Sequence, residues 1–366
     1  MIRAPITIDI STLDKHHDAI HIYNRPTPLI INRISIQHNT SITTCKIESY
    51  YDLGTIYFNA HEIIDFSEYM FIMNVETIYV ETDDDCNITD YTCFKKLQQF
   101  HLTSNCYKFI TKLRLPNTLN KLIIQTNISI VGMTLPSDLQ TIIIMFNSRP
   151  CYSDSEFDHS LTGFTFPSNL KRIEIIGNHL STGIVFPDNL RELVLDFCHK
   201  CPLTDVIFPD RLRFIDFGYN TMLKDIVLPK YIEQIRISYN GLMSITDAVL
   251  PETLTCLELT YCDRHLSTCK IIIPSNFMDI KTYYHIVMDK RIIYPDTLRK
   301  LTIIDRELPS LDDLPRSIEE LSIHSVLNNV TNLPMGLKKI TISDMTDDDV
   351  KIKFNKLPYG CIVTII

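Results

Sequence analysis

The stretch that decides the fold is Leu115-Pro116-Asn117-Thr118-Leu119-Asn120-Lys121-Leu122-Ile123-Ile124-Gln125-Thr126-Asn127. An apolar residue precedes a proline. Aliphatics follow three, six and eight residues after the proline, and Asn stands at eleven. The phrase recurs at Phe166-Pro167 with Leu170, Ile173, Ile175 and Asn178. Working outward, the same anchor appears at Pro136, Pro187, Pro209, Pro229, Pro251, Pro274, Pro295, Pro315, Pro334 and Pro358, with most spacings between 19 and 24 residues. A fixed period of this size marks a stacked repeat array rather than a set of globular domains. It points away from an enzyme and toward a binding surface.

Each unit carries a short strand. In the unit at Pro229, Ile232, Ile235 and Ile237 are expected to point inward, and Gln234, Arg236 and Ser238 outward. Alternation of period two over so short a run argues a half-buried strand. Stacked side by side, such strands form a parallel sheet with one buried and one solvated face. Asn at the eleventh position (Asn127, Asn147, Asn178, Asn220, Asn240) is expected to bond backbone groups of the neighbouring coil, which are costly to bury unpaired. Cys198 and Cys262 take that place in two units. About nine residues then remain before the next proline, too few for a substantial helix. The return side is expected to be extended or 3₁₀-like, where proline needs no donor.

The pattern L-x-x-L-x-L-x-x-N/C is the leucine-rich-repeat signature. The expected fold is therefore an α/β-type solenoid, mostly β: a leucine-rich-repeat horseshoe or superhelix with a parallel concave sheet and an extended or 3₁₀ convex side. Residues 1–110 keep the rhythm without the proline, at Ile31/Ile34/Ile36, Leu53/Ile56/Phe58, Val75/Ile78/Val80 and Leu97/Phe100/Leu102. They read as degenerate repeats and a cap, residues 111–345 as the regular array, and 346–366 as a C-terminal cap.

The run Pro-x-x-Leu-x-x-Leu-x-Leu followed by aromatic-Asn, as at Met145-Phe146-Asn147, Gly218-Tyr219-Asn220 and Ser238-Tyr239-Asn240, resembles the FNIP repeat. That leucine-rich-repeat subtype of about 22 residues is expanded in social amoebae and in giant DNA viruses that infect amoebae. The resemblance implies a protein-binding array, in the host cytoplasm if viral. Many members of the family carry an N-terminal F-box, but residues 1–60 show no helical F-box pattern. The alternative implied function is a substrate-recognition adaptor of a ubiquitin ligase without a recognisable F-box. The chain also resembles bacterial effectors whose repeats read Leu-Pro-x-x-Leu, and the catalytic domain that some of them carry is not expected in it.

Composition sets limits. Apolar residues make up 45% of the chain and charged residues 22%, as in folded proteins rather than disordered ones. A net charge of −9 argues against nucleic acid as partner. No apolar run is long enough to span a membrane, and Met1 to Asp9 lacks a signal-peptide segment. The 11 cysteines are scattered without framework spacing and read as reduced cytoplasmic thiols. The sequon Asn127-Ile128-Ser129 lies inside the array, where a glycan would block folding.

Candidate contact residues follow from counting along the frame. The column one residue before the Asn reads Thr126, Phe146, Gly177, Phe197, Tyr219, Tyr239, Tyr261, Tyr284. It is expected to form an aromatic stripe on the solvated face, suited to a protein partner. Flanking columns hold Glu174, Val194, Asp216, Arg236, Glu258 and Lys281, and then Asp196, Gly218, Ser238 and Thr260. Asp196, Asp216, Arg236 and Glu258 are expected to set specificity, or else to pair across strands. The insertion near residues 148–159 reads as a protruding loop, and Asp347-Asp348-Asp349 as solvent-facing. Cys198-His199-Lys200-Cys201 has ligand spacing but no second pair at a usual distance. No phosphate loop, G-x-S-x-G or H-E-x-x-H occurs. The reading is of a non-enzymatic scaffold without cofactor, metal or small-molecule substrate.

Overall fold

The computed structural model describes residues 6–9, 31–36, 55–59, 76–82, 90–146, 161, 163–177, 184–196, 203, 206–218, 226–238, 250–260 and 271–366. The chain divides into two compact units, Met1–Leu190 and Arg191–Ile366.

In the first unit the strands are β1 (Ile6–Asp9), β2 (Ile31–Ile36), β3 (Thr55–Asn59), β4 (Thr77–Thr82), β5 (Gln99–Ser104), β6 (Lys121–Thr126), β7 (Thr141–Phe146) and β8 (Arg172–Ile176). Each pairs in parallel with the next. The second unit runs β9 (Glu192–Asp196), β10 (Phe214–Asp216), β11 (Gln234–Ser238), β12 (Cys256–Thr260), β14 (Asp279–Thr282), β16 (Lys300–Ile303), β17 (Glu320–Ile323), β18 (Lys339–Ile342) and β19 (Ile362–Ile365), again parallel between neighbours. Between these strands lie β13 (Ile271–Ile272) and β15 (Ile292–Ile293), which pair with each other on the return side.

The repeat phrase explains this geometry. The carbonyl of each anchoring proline accepts the N–H of the residue three on, an aliphatic in most coils, as from Leu119 to Pro116 at 3.1 Å and from Leu254 to Pro251 at 3.0 Å. That is a tight turn in which proline sets φ and lacks only a donor the turn does not use. The next two N–H groups then share one carbonyl of the preceding coil: Asn120 and Lys121 both donate to Gln98 O at 2.9 Å. The same fork recurs from Arg213 and Phe214 to Arg191 O, and from Glu233 and Gln234 to Arg213 O. Two lone pairs on one carbonyl make this possible. The coil without a proline keeps the turn, because Phe94 O accepts from Leu97 N–H at 3.2 Å while the Phe94 ring is fully buried.

The aliphatic ribs form the core. Leu119, Leu122, Ile124, Ile232, Ile235 and Ile237 are all 0% exposed. Burial of each such side chain contributes about 1.5–3 kcal/mol. On the return side of the first unit, Phe164, Phe166 and Phe186 pack ring against ring at 5.0 and 6.1 Å. The strand alternation, the turn and the period together make each unit a leucine-rich-repeat solenoid, mostly β.

Short helices interrupt the extended return segments: α1 (Tyr107–Lys112), α2 (Tyr284–Val287) and α3 (Asp347–Lys353). The acidic run Asp347–Asp349, expected simply to face solvent, is exposed but forms the first turn of α3. The Thr346 hydroxyl accepts the Asp349 N–H, and Asp349 returns the bond, closing a capping box. Negative charge at a helix start opposes the dipole, and Lys351 and Lys353 close the other end.

Candidate functional site

The solvated sheet face has a different character in each unit. In the first, the central column reads Tyr79, His101, Ile123, Ile143 and Glu174 in strict register across β4 to β8. All five are half-buried. Tyr79 and His101 stack with centroids 4.0 Å apart. Burial, and then the charge of Lys121 on the next strand, push His101 down to about 4, so the imidazole is neutral at physiological pH. One flanking column is polar (Thr77, Gln99, Lys121, Thr141, Arg172), and the other passes from Thr103 and Gln125 to Met145 and Ile176. The result is a largely apolar stripe with a polar margin, ending at Glu174, which pairs with Arg172 of that margin.

In the second unit the same column is ionic. Val194, Asp216, Arg236, Glu258 and Lys281 lie in register on β9, β10, β11, β12 and β14. Arg236 bonds Asp216 Oδ2 at 2.9 Å and Glu258 Oε2 at 3.1 Å, and Lys281 reaches Glu258 Oε1 at 3.3 Å. The Arg236 guanidinium also lies 5.6 Å from the Phe214 ring centroid. Asp216 and Glu258 are 6% and 5% exposed. Burial raises the Asp216 carboxyl above its ordinary range, against the opposing pull of the Gly218 N–H at 2.8 Å and of Arg236. Pairing across strands, one of the two roles expected for these charges, is therefore what Asp216, Arg236 and Glu258 do in the chain. Farther along, the column turns to hydroxyls at Thr302, Ser322, Thr341 and Thr364. Another ion pair lies in a neighbouring column, Lys300–Asp279 (2.9 Å), and two more join the residues just ahead of the strands, Arg213–Glu233 (3.1 Å) and Lys338–Glu319 (2.6 Å).

Asp196 is half-buried at the end of β9, where Gly218 (φ 52°) approaches so closely that a Cβ there would collide with it. The expected aromatic stripe needs correction at its described positions. Phe146 is 4% exposed and faces the coil interior, not solvent. The reason is parity: ten residues after the proline is an even step from six and eight, so the column shares the inward face. Ser104, at the equivalent place one coil earlier, and Thr126, the column's first member, are 1% and 0% exposed. Their hydroxyls accept the N–H groups of Cys106 and Ile128, closing the turn out of the strand. Tyr284 is half-buried and opens α2 rather than lying on a strand, with its N–H donating to Asp305 Oδ2 at 2.6 Å. Phe197, Tyr219, Tyr239 and Tyr261 lie outside the described residues, as do the 148–159 insertion and Cys198–Cys201.

Two chemical possibilities can be checked on geometry. His324 Nδ1 lies 2.7 Å from Ser343 Oγ, with Asp344 Oδ2 3.5 Å from the same nitrogen. A catalytic triad needs the carboxylate on the opposite ring nitrogen, so this cluster is not one. The Cys256 thiol is pushed up to about 11, chiefly by burial, and stays protonated. Among the described residues no three His, Cys, Asp or Glu side chains converge on a metal position. No helix among them is long and apolar enough to cross a membrane.

No family model matches the chain, and no curated protein matches it. Among solved structures it is similar to CroV588, described as a novel circular LRR protein, at 17% identity and a TM-score of 0.46, covering 86% of this chain and 50% of that one. The chain thus spans about half the length of that protein. It is also similar to YopM from Yersinia enterocolitica WA-314, at 14% identity and a TM-score of 0.38, covering 96% of this chain and 82% of that one. The fold assignment rests on the coil geometry above.

Proposed function

We propose that this chain is a non-enzymatic protein-interaction scaffold, which binds a partner protein on the solvated face of its parallel sheet. The observation that carries the reading is the stripe Tyr79–His101–Ile123–Ile143, a largely apolar column with a polar margin on one side and Met145 and Ile176 at the end of the other. Contact surfaces of proteins have this arrangement, with aromatic and aliphatic anchors at the centre and a polar rim. A sheet stiffened by stacked coils presents such anchors at little ordering cost. The partner is expected to bring a complementary apolar ridge, as an amphipathic helix or an extended segment does. On the sheet face of the second unit, taken by itself, Asp216 and Glu258 hold Arg236 and Lys281 in place, and these two partly exposed cations, with Asp196 beside the ladder, select partners by charge in this reading. The repeat subtype is FNIP-like in this reading, on the residues Met145-Phe146-Asn147, Gly218-Tyr219-Asn220 and Ser238-Tyr239-Asn240.

The test is affinity purification with two variants. Ile123→Ser/Ile143→Ser alters the stripe. Ile207→Ser alters an exposed apolar residue on the return side, 83% exposed. Loss of the recovered partners with the first variant and retention with the second is the expected result. Equal recovery with both ends the proposal.

A further inference from the structure

The return side of the first unit holds a feature the sheet face does not use. A cleft of about 810 Å³ crosses consecutive coils there, lined by Asp90, Thr92, Lys112, Arg114, Asn117 and Thr134 among others. Backbone pairing organises it. Asp90 and Arg114 form an isolated parallel bridge, and the Tyr91 N–H donates to Arg114 O at 2.9 Å. Arg114 and Thr134 stand two residues before their prolines, and that segment alternates inward and outward. Leu113 and Leu115 point in (1% and 8% exposed), so Arg114 between them points out.

The charge of this region runs against that of the chain. The protein carries −9 overall, yet between Asp90 and Asp138 the sequence holds no Asp or Glu, while it holds Lys95, Lys96, Lys108, Lys112 and Arg114, besides Lys121 on the sheet face. Lys112 and Arg114 are exposed, and neither forms a salt bridge among the described residues. The one carboxylate in the lining is already engaged. Asp90 accepts the Thr92 hydroxyl at 2.6 Å and the Thr92 N–H at 2.9 Å, and these bonds, more than the nearby cations, hold its carboxyl below the usual range. Asp83, Asp84 and Asp85 lie outside the described residues.

We infer that this cleft binds an acidic polypeptide segment. Lys112 and Arg114 meet its carboxylates, with the guanidinium fork suited to a paired contact. The amide of Asn117 and the hydroxyl of Thr134 meet its backbone. Nucleic acid is the weaker occupant on the same charges. No lining residue is aromatic, so bases find no stacking platform, and the net charge of −9 opposes a long polyanion. This site lies on the return side and does not depend on the sheet-face proposal.

The experiment is fluorescence anisotropy of the full chain with fluorescein-labelled hexaglutamate, and in parallel with labelled hexaglutamine and hexathymidylate. Hexaglutamate is expected to bind, to be displaced by salt, and to bind about tenfold more weakly to Lys112→Gln/Arg114→Gln. Lys351→Gln, an exposed cation on α3, is expected to leave binding unchanged. Because Lys112 and Arg114 are exposed, the double variant is expected to keep the wild-type melting temperature. Four outcomes overturn the inference: no binding of hexaglutamate to the wild type, equal binding to the double variant, equal loss with Lys351→Gln, or tighter binding of hexathymidylate than of hexaglutamate.

Discussion

Asn105 on one coil accepts, through Oδ1, the backbone N–H of Asn127 on the next at 2.8 Å. The two asparagines occupy equivalent places, so the bond joins one coil to its neighbour at the turn out of the strand. Asn105→Ala removes the acceptor and is expected to cost about 1 kcal/mol. Asn105→Asp keeps an acceptor at the same place and is expected to cost less. Urea denaturation of both variants checks this. Equal loss in the two would mean that the Asn is not needed for its oxygen.

Arg236 lies between two buried carboxylates, and its removal leaves Asp216 without a cation and Glu258 with Lys281 alone. Arg236 is itself about one third exposed, with 35% of its side chain accessible. The expected cost of Arg236→Met therefore lies between the surface and buried limits, at about 2 kcal/mol. Adding Asp216→Asn and Glu258→Gln to that variant removes the uncompensated charge and is expected to recover part of the loss. A further loss in the triple variant would contradict the ladder.

His101 ties stability to pH. Its folded pKa of about 4 lies below the ordinary 6.5, so between these values the unfolded chain binds more protons. Its contribution is full above pH 6.5, fades as pH falls through that window and is gone below 4. Lys121 opposes protonation as well, though less than burial does. His101→Phe keeps a ring beside Tyr79 and is expected to flatten the melting temperature over this window. An unchanged profile would remove the buried imidazole as its cause.

The two sides of a strand should respond differently to truncation. Phe146→Ala empties an inward position and is expected to cost about 3–5 kcal/mol. Ile123→Ser, on the half-buried solvated face, is expected to cost much less. Thermal melting of the pair separates the two faces. A larger loss at Ile123 would reverse the assignment.

Much of this was legible in the residues. The proline period places the turns, and the aliphatics at six and eight give the inward ribs, as Leu122 and Ile124 show at 0% exposure. The unpunctuated coils were legible too, because Ile78, Val80, Phe100 and Leu102 keep the step and are buried. The aromatic column departs from the expectation at Phe146 because residue type does not fix exposure, whereas the even step from the ribs assigns it inward. The stripe Tyr79–His101–Ile123–Ile143 stands at an odd step and could have been found by the same count. The helix α3 was also signalled, by Thr346 ahead of three aspartates and two later lysines. The burial of Asp216 and Glu258 is not readable from the residues, because it depends on how the Arg236 side chain reaches across two strands to pair with both.

The most direct measurement is site-specific photo-crosslinking with a benzophenone amino acid at position 123 on the sheet face or at 207 on the return side. A partner adduct from 123 and none from 207 is the predicted result. An adduct from 207 with none from 123 would show that the sheet face is not where the partner sits.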